Sequence, residues 1–220
     1  MPTLNAVRVV HIEGTSDSDF STARTSNSGT VTIISGGSQY VQFYTGRGKH
    51  RFSRVFTYFD TSGVTGTVSA AHIDVDGGGT SPDPNDTIII KSTAFGGDGS
   101  GGVTTSDMYS SLVYGTPYST ELTSWNTSTN NEYTLNANAL TDIKDEDVLI
   151  IAIIDHDADY ANTDTGSTSD IIIDFDTTIT LDYTLAPTGY GNAVNGVPSA
   201  NIGKVIDVAT ANIEKIIGVD

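Results

Sequence analysis

The sequence predicts an all-β chain, a jelly-roll-like β-sandwich of about ten strands followed by a short C-terminal docking segment. Three observations carry this. Of the 27 acidic residues, 22 are Asp, which with Gly, Ser, Thr and Asn favours turns and is poor inside helices. β-branched and aromatic residues recur in runs of strand length. Turn punctuation separates the runs, at Gly36-Gly37, Gly77-Gly78-Gly79, 96–102 and 126–131, and no long helical period of apolar residues is left.

Strands are predicted, in chain order, over residues 6–12, 30–34, 39–44, 51–59, 65–75, 87–92, 132–136, 148–154, 171–175 and 178–185. Residues 148–154 read VLIIAII, apolar on both faces, which places that strand in mid-sheet. Residues 178–185 alternate Ile179, Leu181, Tyr183 and Leu185 with Thr and Asp, so one face meets water. Helix is confined to two turns. At 105–112, Thr105-Ser106-Asp107 offers an N-cap ahead of Met108, Tyr109 and Leu112; the other turn is at 137–143.

The composition changes after Ala186, which divides the chain into a sandwich, 1–186, and an attachment segment, 187–220. Pro187-Thr188-Gly189-Tyr190-Gly191 reads as a linker. Beyond it an eleven-residue unit repeats: residues 194–204 (VNGVPSANIGK) align with 205–215 (VIDVATANIEK), and residues 216–220 open a third copy. An eleven-residue period is also permissible in a helix. Gly196, Gly203 and the β-branched content favour a β-type or irregular segment instead. The repeat sets Val194, Val197, Ile202, Val205, Val208, Ile213, Ile216 and Val219 at recurrent positions, with Lys204 and Lys215 in phase. So short a segment cannot bury these side chains alone and needs a surface to lie against.

Charge and composition narrow the function. The net charge is −17, with only ten basic residues, so phosphate backbones would be repelled and no nucleic-acid partner is expected. No cysteine is present, which excludes disulfides, thiolate metal sites and cysteine nucleophiles. No run of eighteen apolar residues occurs, so no membrane span is expected. The opening MPTLNAVRVVHIEG lacks a basic n-region, a long apolar stretch and a cleavage site, as expected of a chain made and assembled in the cytoplasm.

No catalytic residue is predicted. His11, His50, His72 and His156 sit in no nucleophile setting, and G-x-S-x-G, H-E-x-x-H and P-loop patterns are absent. The sharpest local feature is Asp155-His156-Asp157-Ala158-Asp159, at the end of the mid-sheet strand. Carboxylates at alternate positions can converge on Ca²⁺, which prefers oxygen ligands, so Asp155, Asp157 and Asp159 are the candidate calcium ligands. It is no EF-hand, and an acidic solvated loop is the competing reading. Apart from that calcium, no cofactor is expected. Tyr109, Tyr114 and Tyr118 cluster in a loop-like stretch and are the candidate glycan contacts, whereas Trp125 reads as core beside Leu122 and Tyr133. Arg47, Lys49, His50, Arg51 and Arg54 form a basic cluster expected to pair with carboxylates.

Two stretches carry a resemblance. Residues 51–64 (RFSRVFTYFDTSGV) and 68–75 (VSAAHIDV) resemble jelly-roll modules of carbohydrate-binding and surface-adhesion proteins and phage fibres. There, an Arg-led strand ending in Phe-Asp is followed by a strand opening with a small-residue pair. The likeness spans roughly 40–185; Asp74 and Asp76, and the insertion at 96–102, depart from it. The tail, with YGNAVNGV at 190–197 and NIGKV at 201–205, is similar to repeated ends on phage structural proteins. The resemblance implies a bacteriophage virion structural protein without enzymatic activity: a capsid-decoration, fibre or tail-associated subunit on the particle exterior. Its partners would be other virion proteins and copies of itself. A carbohydrate-binding or adhesin module, calcium-assisted, with a cell-surface glycan as partner, is the alternative.

Overall fold

The computed structural model describes residues 1–34, 36–78, 86–174 and 179–186, and the backbone of 204–205 and 208–209. In chain order the strands are β1 (Thr3–Asn5), β2 (Arg8–Gly14), β3 (Gly29–Ile33), β4 (Ser38–Gly46), β5 (Lys49–Asp60), β6 (Val68–Asp76), β7 (Thr87–Ser92), β8 (Leu112–Pro117), β9 (Asn130–Thr134), β10 (Val148–Asp155), β11 (Ser169–Asp174) and β12 (Thr180–Leu185). Three short helices, α1 (Phe20–Arg24), α2 (Asp107–Ser110) and α3 (Ala137–Asp145), join them, with a 3-10 turn at Phe95–Gly97 and a π-turn at His156–Tyr160. Met1–Thr184 is one compact unit and Leu185–Asp220 another.

Within the first unit two antiparallel sheets form a jelly-roll-like β-sandwich. The smaller runs β1-β12-β6-β9; the larger runs β11-β4-β5-β10-β7-β8, with β2 on β5 and β3 on β2. The long β5 is the hub. Phe56 pairs with both Val10 and Ala152, so β2 and β10 take opposite edges. Ser53 pairs with both Glu13 and Gln42, so β4 and β10 follow one another along the edge away from β2.

β10 shows why a strand apolar on both faces sits in mid-sheet. Leu149, Ile151 and Ile153 point between the sheets, into a core with Phe59, Ile73, Ile89 and Leu181. Ile150, Ala152 and Ile154 point the other way, into a second core with Phe43, Phe52, Phe56 and Ile90. Full burial of each such side chain stabilises by roughly 1.5–3 kcal/mol. Ala23 of α1, Phe95, Met108 of α2 and Ala158 of the π-turn belong to this second core, while Ala139 and Ile143 of α3 belong to the first. Caps set the helix starts: Asp19 accepts from the Thr22 amide at 2.7 Å, and Asn136 from the Asn138 amide at 3.0 Å.

All ten predicted strands are present, 87–92 end to end as β7 and the others with shifted ends, residues 175 and 178 lying outside the described residues; β1, β8, α1 and the π-turn add to them. The turn expected at 105–112 shrinks to Asp107–Ser110, and Ser106 makes no capping bond. Instead Asp107 reaches back to the Thr104 amide, 2.7 Å away.

Gly77 ties the two sheets at one corner. It bridges to Ile173 of β11, and the Gly78 amide donates to the Ile172 carbonyl at 2.8 Å.

In the second unit the backbones of β13 (Lys204–Val205) and β14 (Val208–Ala209) pair antiparallel, Lys204 with Ala209 and Val205 with Val208. This hairpin falls where one eleven-residue unit meets the next, on the β side of the two sequence readings. The linker 187–191 and Val194, Val197, Ile202, Ile213, Lys215, Ile216 and Val219 lie outside the described residues.

Candidate functional site

At Asp155 the chain leaves β10 and coils into the π-turn. The Asp155 carboxylate caps that turn, accepting from the Ala158 amide at 2.7 Å, and its second oxygen accepts from the Ser169 hydroxyl. Only 5% of the residue is exposed. Burial raises its pKa to about 6, against the lowering effect of these hydrogen bonds.

Beside it opens a cleft of about 230 Å³ lined by Asp86, Asp155, Asp157, Thr165, Ser167, Thr168 and Ser169. His156 stands at its rim, with Nδ1 3.0 Å from Asp157 Oδ1 and 3.4 Å from Glu121 Oε1. Burial raises the Glu121 pKa; His156 opposes this, while the hydrogen bond to Asp86 and the charges of Asp86 and Asp157 reinforce it. One ligand atom each from Glu121, His156 and Asp157 lie within 4.8 Å of one another. Carboxylates and hydroxyls around a small cleft suit a hard cation or a polyhydroxylated ligand.

Only two of the three predicted calcium ligands reach this cleft, which corrects the sequence reading. Asp159 binds Arg54 instead, from Nε to Oδ2 at 2.5 Å and from Nη2 to Oδ1 at 2.9 Å. The Tyr114 hydroxyl donates to the same Oδ1 at 2.7 Å, and Arg24 Nε lies 3.6 Å away. Residues i, i+2 and i+4 share a face only while the chain is extended. From His156 it is coiled, so Asp155 and Asp159 point to different surroundings. Burial alone would lower the Arg54 pKa, but the adjacent Asp159 carboxylate holds it above the ordinary value.

The tyrosines are also corrected. Tyr118 is fully buried, with its hydroxyl on Asp142. The Tyr114 ring lies under the Arg24 guanidinium, 4.5 Å from ring centre to Cζ, and its hydroxyl is held by Asp159. Tyr109 is half-buried, 5.7 Å from the Tyr114 ring. Tyr109 and Tyr114 thus pack against the Arg24 and Arg54 guanidiniums beside Asp159, and Tyr118 is tied to Asp142, so the three do not form a stacking platform. Trp125 packs on the sandwich core. From the basic cluster, Arg51 pairs with Glu13 at 2.9 Å and His50 lies 4.0 Å from Asp164.

Sequence reasoning missed Glu121, gave His156 no role as a ligand, and read Asp86 only as part of a weaker acidic loop, Asp83-Pro84-Asn85-Asp86. One signal was present: pairing predicted strands 87–92 and 148–154 in register sets Thr87 against Asp155 and so brings Asp86 to the cleft. Glu121 arrives through an isolated bridge of Leu122 to Thr87, which no local pattern announces.

The fold and site define an acidic antiparallel β-sandwich with a carboxylate- and hydroxyl-lined cleft at its strand ends. No protein-family model matches the chain, and no curated protein is similar to it in sequence. Among the described residues no helix is long and apolar enough to cross a membrane.

Proposed function

We propose that this chain is a non-enzymatic bacteriophage virion structural protein, a capsid-decoration, fibre or tail-associated subunit displayed on the particle exterior. Its C-terminal segment holds it to copies of itself or to other virion proteins. The observation that carries the reading is the division of the chain: Met1–Thr184 is compact by itself, and Leu185–Asp220 is a separate unit. An isolated two-stranded ribbon is marginal in water, so the hairpin at 204–209 and its repeated Val and Ile residues gain from strand pairing on a partner. Multiple copies would add avidity. The carboxylates that the sandwich buries most deeply, Asp155 and Asp159, are engaged in capping and ion pairing, which supports a structural role over a catalytic one.

The test compares the full chain with one ending at Ala186. The truncated protein is expected to keep its thermal transition and to lose self-association and co-sedimentation with particles. Unchanged assembly, or loss of the folded state, overturns the proposal.

A second reading, a cation-assisted carbohydrate-binding or adhesin module, is favoured by the cleft alone, where Asp86 and Asp157 stand beside four hydroxyl side chains. Glycan-array binding that depends on added Ca²⁺ would support it over the first.

A further inference from the structure

The outer face of the small sheet carries a second cluster, remote in sequence from the cleft. In β6 the residues Ala71, Ile73 and Val75 point into the core, so His72 and Asp74 point outward, two residues apart on one face. Asp74 pairs in register with Glu132 of β9, whose neighbour Tyr133 is core. On β12, Leu181 and Tyr183 point inward, which turns Asp182 to the same outer face. Three adjacent strands thus present one imidazole and three carboxylates to a single point.

The distances are close to the ligand–ligand separations found around a bound metal ion. His72 Nε2 lies 3.5 Å from Asp74 Oδ2, 3.7 Å from Asp182 Oδ2 and 4.0 Å from Glu132 Oε2. The ligand atoms of His72, Asp74 and Asp182 all fall within 4.8 Å of one another. Ligands bound tetrahedrally at about 2.0–2.1 Å stand roughly 3.3–3.5 Å apart, so these side chains need only a small inward movement to close on an ion. The carboxylates are also held from behind. The Thr3 hydroxyl donates to Asp182 Oδ1, which leaves Oδ2 turned to His72, and Asn130 hydrogen-bonds Asp74. Such outer contacts orient metal-binding carboxylates. The His72, Asp74 and Asp182 side chains are 16–19% exposed, and Glu132 58%. Three ligands are therefore semi-enclosed and the fourth is free to swing.

We infer that His72, Asp74 and Asp182, with Glu132 as a fourth ligand, form a binding site for a divalent transition-metal ion of the zinc class. The imidazole distinguishes this from a site for Ca²⁺ or Mg²⁺, which take oxygen ligands. Two aspartates balance the charge of the ion, and all four ligands sit on paired strands, so the ion would pin β9, β6 and β12 together on the face away from the core. The site is independent of the virion reading.

The test is calorimetric titration of the tag-free full chain with Zn²⁺, together with the visible spectrum of the Co²⁺-substituted protein. About one high-affinity ion per chain is expected, with an intense Co²⁺ band characteristic of a low-coordinate nitrogen–oxygen site and a raised melting temperature. His72→Gln and Asp182→Asn, both of surface-facing residues, should each weaken Zn²⁺ binding at least tenfold and abolish the Co²⁺ band. Thr3→Ala should weaken it about tenfold through the lost support to Asp182. Lys144→Ala, exposed and outside both clusters, should leave both readouts unchanged. No heat and no Co²⁺ band in the full chain overturns the proposal, as does Zn²⁺ binding that survives His72→Gln and disappears in His156→Ala.

Discussion

Arg54 and Asp159 form a two-point ion pair inside the layer that covers the large sheet, with side chains 0% and 1% exposed. Two further guanidinium hydrogens are directed to backbone: Nη1 donates to the Met108 carbonyl at 2.5 Å and Nη2 to the Arg24 carbonyl at 2.8 Å. One pair thus joins β5, α1, α2 and the π-turn, four segments that share no regular secondary structure. A pair so placed fixes arrangement more than it adds stability, because both charges were taken out of water.

Removing one partner is therefore expected to cost far more than removing both. Asp159→Ala leaves Arg54 buried without a counter-charge and should destabilise by about 3–5 kcal/mol. Arg54→Met combined with Asp159→Leu should recover most of that loss. Urea denaturation of Arg54→Met, Asp159→Leu and the double variant measures the coupling; equal losses in all three would contradict it.

Two buried titrating groups act in opposite directions on acidification. His11 is 4% exposed; burial, helped by the charge of Arg51, lowers its pKa to about 4. The unfolded chain therefore takes up this proton first, and stability is lost as pH falls from 6.5 towards 4. Asp155, raised to about 6, does the reverse: its contribution is fully present below 3.8 and is lost as pH rises through 6. Each amounts to roughly 3 kcal/mol, so in the native chain they nearly cancel between pH 4 and 6.5. Asp155→Asn should unmask the acid-sensitive arm, and His11→Phe the opposite one. Denaturation midpoints across that pH range, each taken relative to the native chain, check both slopes.

Gly77 is required by close approach. A Cβ there would lie 1.9 Å from the Asn126 carbonyl oxygen, whereas one at Gly63 would meet nothing within 4 Å. Gly77→Ala must push the 126–131 turn off the corner where β6 bridges β11, at an expected cost of about 1–3 kcal/mol. Gly63→Ala should stay within about 0.5 kcal/mol of the native chain. Thermal melts of the two variants suffice.

Periodicity made the sandwich legible: the double-faced β10 and the alternating β12 carry their placement in their residue order. The site was less legible because its members converge through long-range pairing. Asp155, Asp157 and Asp159 look like a set in sequence, yet a single change from extended to coiled chain sends Asp159 to Arg54. His72 and Asp182 are over a hundred residues apart, and only the adjacency of β6 and β12 joins them. Tyr114 and Tyr118 carry no mark that distinguishes a hydroxyl held by a carboxylate of the fold from one that faces water.

The cleft allows a last prediction about Ca²⁺. Both carboxyl groups with raised pKa values, Asp155 and Glu121, must give up any proton they hold before serving a cation. Asp155 is half protonated near pH 6, and burial also raises the Glu121 pKa. Calcium bound in the cleft should therefore release protons near pH 5.5 and almost none at pH 8, and its affinity should rise with pH across that interval. Titrations in two buffers of different ionisation enthalpy separate the released protons from the heat of binding. Asp157→Asn, which removes an exposed cleft carboxylate without disturbing the Arg54–Asp159 pair, should weaken Ca²⁺ at least tenfold while leaving the melting temperature of the metal-free protein unchanged. Binding independent of pH and of Asp157 would place the cation elsewhere, and no heat at either pH would remove calcium from the cleft.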